Sequence, residues 1–81
     1  MHSPQIRATL EHCRTVLASS DQPDEMRRLA ENLLTHLLEM HDARRLRIPV
    51  FLLALDTLEL VPGLEDCVAQ MRAVASREQA A

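Results

Sequence analysis

The stretch Ile48–Val61, IPVFLLALDTLELV, is the most apolar segment of the chain and holds its single aromatic residue, Phe51. It is too short to span a bilayer, which takes about 20 apolar residues. It opens on Ile48-Pro49, and proline suits the first turn of a helix because its missing N–H has no partner there anyway. At about 100° per residue, Phe51, Leu55 and Leu58 fall on one face. Leu53 and Leu60, flanked by Val50 and Val61, point roughly the other way. Only Asp56, Thr57 and Glu59 interrupt the apolar surface. A helix apolar on most sides is normally buried on most sides, so the rest of the chain must supply the cover.

With 81 residues the chain makes one domain, taken as 1–81. Its core is small, and chains of this length often add a disulfide, a metal or a second subunit. The hydrophobic fraction is 47%, with no Trp or Tyr and one Gly. Leu, Ala and Met dominate it, which favours helices, while β-branched runs are nearly missing. Net charge is −3 and all nine basic residues are Arg. The acidic balance argues against nucleic-acid binding, which wants a basic face. The all-arginine set suggests a GC-rich bacterial genome. The N-terminus lacks the charged-then-apolar pattern of a secretory signal. A cytoplasmic location is therefore expected, with Cys13 and Cys67 reduced.

Three further helices are read around the central one. The first covers about 4–18, with Ser3 as N-cap and Pro4 at its first position. Ile6, Leu10, Cys13 and Leu17 repeat at spacings of four, three and four, a narrow seam. Ser19–Pro23 forms a loop. The second helix covers 24–45, capped by Asp24, with acidic residues at its positive end. Met26, Leu29, Ala30, Leu33, Leu34, Leu37, Leu38 and Met40 give it an apolar arc of about half the circumference. Arg44, Arg45 and Arg47 sit at its C-terminal end, where cations are favoured, and Ile48 breaks the helix ahead of its proline. The central helix covers 49–60, and Val61-Pro62-Gly63 ends it. The last covers 64–76, with Leu64, Cys67, Val68, Met71, Val74 and Ala75 inward and a frayed tail.

Short connections make sequential helices antiparallel. The expected fold is all-α, a compact four-helix up-down bundle. Cys13 and Cys67 then come close, and the first, second and fourth helices together cover one side of the central helix. The side carrying Leu53 and Leu60 has no obvious cover, a surface that a monomer rarely exposes. A homodimer or a bound helical partner is expected there.

Chemistry is thinly represented. His36 and Met40 are four apart on a helix edge, with His41 next to them and His12-Cys13 elsewhere, but a metal needs three or four ligands in geometry and no zinc spacing is present. No metal or cofactor is expected. Buried small hydrophobes are the ordinary role of Cys13 and Cys67. Asp56 and Glu59 share a side of the central helix, and are expected to be solvated or paired with Arg44, Arg45 or Arg47. No phosphate loop, nucleophile motif or metalloprotease motif accompanies them, so an enzyme is not expected. A helix-turn-helix made of the last two helices would open its recognition helix with Glu65-Asp66, which repels DNA.

The general look is similar to that of small bacterial all-helical regulators and chaperones, a compositional likeness that carries no motif. The expectation is a non-enzymatic interaction module that pairs with itself or with a partner helix. Its interface would comprise Val50, Leu53, Leu60 and Val61, rimmed by Arg44, Arg45 and Arg47, without membrane insertion. The competing expectation is a small nucleic-acid-binding or transcription-regulating protein that uses the Arg44–Arg47 cluster.

Overall fold

The computed structural model describes residues 4–80. It has four helices: α1 (Pro4–Ala18), α2 (Asp24–Asp42), α3 (Ile48–Leu58) and α4 (Glu65–Ala80). The Ser3 N-cap lies outside the described residues. α1 packs against α2 and α4, and α3 packs against α4 and, over a smaller contact, α2; among the described residues the backbones of α1 and α3, and of α2 and α4, stay apart. The cover that α1 gives α3 is made by side chains and not by backbone contact: its buried seam shares one core with Phe51, Leu55 and Leu58. The Cα extents are 37 × 23 × 19 Å.

The narrow seam of α1 goes wholly inside: Ile6, Leu10 and Cys13 are fully buried and Leu17 nearly so. Phe51, Leu55 and Leu58 meet it from α3, and Leu64, Val68, Met71 and Ala75 from the α4 side. Burying one such side chain stabilises the fold by about 1.5–3 kcal/mol.

Helix ends depart from the sequence reading for local reasons. α2 stops at Asp42 instead of 45. Arg44 takes φ 60°, its N–H donates to the His41 carbonyl at 3.0 Å, and the Arg45 N–H donates to the Met40 carbonyl at 2.8 Å. That pair of bonds is a Schellman termination, usually built on glycine in the left-handed position. Asp24 does not cap α2. Pro23 precedes the helix with no side-chain cap bond, and the Asp24 Oδ1 instead accepts from Arg27 Nη2 at 2.7 Å. The break before α3 falls at Arg47, which is extended (φ −108°, ψ 148°), with Pro49 in the first turn. α4 runs on to Ala80, because Arg77, Glu78, Gln79 and Ala80 are all good helix formers.

Two connections are tied together. Gln22 Nε2, in the α1–α2 loop, donates to the Pro62 carbonyl, between α3 and α4, at 2.8 Å. Gly63 has φ 92°, which favours glycine, and its N–H donates to Glu65 Oε2 at 2.9 Å. This contact sets the start of α2 beside the end of α3. The end of α2 joins the start of α3 through a short link, so the two helices run antiparallel.

Candidate interaction surface

Phase alone divides α3 into two faces, and burial follows it closely. Phe51 and Leu55 are fully buried, whereas Val50 is 43%, Leu53 69% and Leu60 78% exposed. These are large apolar side chains left in water along one side of one helix and its following turn. Val61 does not join them. It is buried, at 8% exposure, because α3 ends at Leu58 and the chain turns after it. The Val61 N–H donates to the Leu58 carbonyl at 3.0 Å, so the helical phase that placed Val61 beside Leu60 no longer applies. Val61 belongs to the core.

The basic run is split by burial. Arg44, Arg45 and Arg47 are exposed, while Leu46 between them is fully buried. Leu46 plugs the α2–α3 link into the core. Its neighbours stand outward because a chain leaving a left-handed turn at Arg44 has little room to bury more than one side chain. The sequence pattern gave little sign of Leu46: a single leucine among arginines carries no periodicity.

Asp56 and Glu59 are paired, but not with that run. Arg72 Nη2 reaches across from α4 to Asp56 Oδ1 at 2.6 Å and to Glu59 Oε2 at 2.7 Å. Exposed pairs of this kind are worth about 0–1 kcal/mol each; their larger value here is geometric. They mark the flank of α3 that faces α4. Arg7 Nη1 of α1 likewise pairs with Asp42 Oδ1 of α2 at 3.4 Å, marking the flank of α2 that faces α1.

The structure exposes a second row that the sequence reading had placed inside. Met26 is 37% and Leu29 66% exposed, and Leu33 and Met40 are only partly buried. At about 100° per residue, these four lie on the flank of α2 opposite Asp42, away from α1. The half-circumference arc of α2 is therefore wider than its neighbours fill: the α2–α3 contact is the smallest of the packed pairs.

The other candidates separate. His36 is exposed, Met40 half-buried and His41 buried, so the three do not converge. His41 Nδ1 lies 3.3 Å from Asp42 Oδ1. Among the described residues no group of three or more His, Cys, Asp or Glu is placed to hold a metal. Cys13 and Cys67 are free and buried and lie close enough to perturb each other. Burial, then proximity to Cys67, pushes the Cys13 thiol up to about 12. Burial also raises Cys67. Low-pKa thiols are the reactive ones, so this pair is chemically quiet in the folded state. A surface concavity beside α1 is lined by Glu11, Arg14, Thr15 and Glu31, all exposed or half-buried.

Among the described residues no helix is long and apolar enough to cross a membrane. No family model, curated protein or solved structure matches this chain.

Proposed function

We propose that this chain is a non-enzymatic helical interaction module, an up-down four-helix bundle that associates through the outer face of α3. The observation that carries this reading is the exposure of Val50, Leu53 and Leu60 at 43, 69 and 78%. Covering such side chains removes apolar area from water at about 25 cal/mol per Å². The exposed Arg44, Arg45 and Arg47 form a rim at the N-terminal end of α3, which steers encounter more than it adds affinity. The occupant favoured here is a second copy of the chain.

Light scattering at micromolar concentration tests this. The wild type is expected to exceed its 9.2 kDa monomer mass, and Leu60→Glu is expected to return it to the monomer with helicity kept, since Leu60 is largely in water before association. A wild type that stays monomeric and captures no partner refutes the reading. The competing reading, nucleic-acid binding through Arg44, Arg45 and Arg47, has their joint exposure in its favour. It predicts binding that weakens steeply with salt, whereas apolar helix pairing keeps most of its strength.

A further inference from the structure

We infer that Cys13 and Cys67 form a disulfide site: oxidised by a small-molecule disulfide of the glutathione class, the two thiols close into one intrachain bond that clamps α1 to α4. The site lies in the core and is independent of the docking reading of α3.

The geometry begins at the tie between the two loops. Gln22 Nε2 bonds to the Pro62 carbonyl, which brings the end of α1 beside the start of α4. The two helices pack on each other, so they leave that junction side by side and antiparallel. Cys13 lies five residues before the end of α1, and Cys67 two residues after the start of α4. At 1.5 Å per residue these are axial distances of about 7.5 and 3 Å, less than one helical turn apart. Both side chains turn inward: Cys13 is fully buried and Cys67 nearly so, and both belong to the same core. Their thiols lie close enough to perturb each other. A disulfide closes without refolding only where two side chains already approach from neighbouring elements, and these are the only two cysteines in the chain.

The chemistry is two thiol–disulfide exchanges. Cys67 reacts first, because it sits in the first turn of α4 and helix ends open most readily. Its thiolate attacks one sulfur of the glutathione disulfide, whose S–S bond breaks and releases one glutathione thiolate. Cys13 then loses its proton to solvent and attacks Cys67 Sγ. The mixed disulfide breaks and releases the second glutathione thiolate. Two cysteine thiols give up two electrons and two protons, and one glutathione disulfide becomes two glutathione thiols. Burial holds both thiols protonated in the closed fold, so exchange passes through local opening: the fold slows the reaction while favouring its product. The bond encloses residues 13–67, about two thirds of the chain, and a cross-link over a long loop restricts the unfolded chain most. By linkage the effect is reciprocal: as far as the bond stabilises the fold, the fold favours the bond.

The experiment equilibrates the full-length chain with mixtures of oxidised and reduced glutathione, in buffer and in denaturing urea, starting from both the reduced and the oxidised protein until the two directions agree. Closure is read as the loss of two hydrogens in the intact mass, with no iodoacetamide uptake after denaturation. The closing constant against glutathione is expected to be at least about tenfold larger for the folded chain than in urea, and the closed monomer to melt about 10 °C or more above the reduced one. Cys13→Ala is expected to show neither the closed mass nor the gain in Tm. A folded chain that closes no more readily than the chain in urea, a closed form that melts below the reduced one, or oxidation that stops at glutathione adducts or chain-to-chain bonds overturns the inference. None of these results bears on whether α3 docks a partner.

Discussion

Leu53 and Leu55 are the same residue, two positions apart on one helix, and their truncations should have opposite consequences. Leu55 is fully buried and Leu53 is 69% exposed. Leu55→Ala removes a packed side chain in a core with little room to collapse, which costs about 2–5 kcal/mol. An 81-residue chain has a total stability of about 4–12 kcal/mol, so this single change removes a large share of it. At about 4–8 °C per kcal/mol for a domain of this size, a loss of about 3 kcal/mol lowers Tm by about 12–24 °C. Leu53→Ala, away from the core, should stay within about 0.5 kcal/mol at high dilution. Its effect should emerge with concentration, because association stabilises the folded state by mass action. The wild-type Tm is expected to rise with protein concentration and the Leu53→Ala Tm to stay flat. Thermal melts followed by circular dichroism at two concentrations well apart read both effects. Equal losses for the two variants at high dilution would refute the division of α3 into a core face and a docking face.

Three further outcomes are expected. Arg44→Gly should raise stability by about 0.5–1 kcal/mol in urea unfolding, because Arg44 holds φ 60° where glycine has no steric cost; a neutral or destabilising result would contradict the Schellman termination of α2. Stability should fall as pH rises above 9: the Cys13 thiol is raised to about 12 in the folded chain and ionises near its ordinary value once unfolded, so the unfolded state gains by ionising. The slope is at most about 1.4 kcal/mol per pH unit per thiol, and it is easily isolated because the chain has no Lys or Tyr to titrate in that range; a Cys13→Ala variant with an unchanged slope would remove the assignment. Arg72→Met should cost about 1 kcal/mol and lose its salt sensitivity, since it deletes two exposed ion pairs and leaves Asp56 and Glu59 without that counter-charge; denaturant titrations at low and high salt measure it.

Much of the fold is legible from period alone, and the reasons are visible in particular residues. The seam of α1 and the Phe51, Leu55 and Leu58 face of α3 are regular 3.6-residue patterns, and burial follows them position by position. The pattern stops being informative where the helix stops. Val61, Leu46 and Arg44 lie in connections, and there turn geometry and not helical phase decides which way a side chain points. Asp56 and Glu59 show a second limit. Their counter-charge sits on α4, sixteen and thirteen residues away in the chain, and a local reading prefers nearer arginines. Met26 and Leu29 show a third, since an apolar arc states what a helix is able to bury but not how many neighbours arrive to bury it.

The sequence by itself determined the four helices and the two-faced character of α3, because the backbone's own periodicity is enough to sort side chains into faces. Only the tertiary structure decided that α1 and α3 meet through side chains while their backbones stay apart, that Val61 turns inward, and that the weakest packed seam lies between α2 and α3 with Met26 and Leu29 beside it. Those outcomes depend on how whole helices share a small core. That sharing is settled by packing among residues far apart in the chain, which no local period encodes.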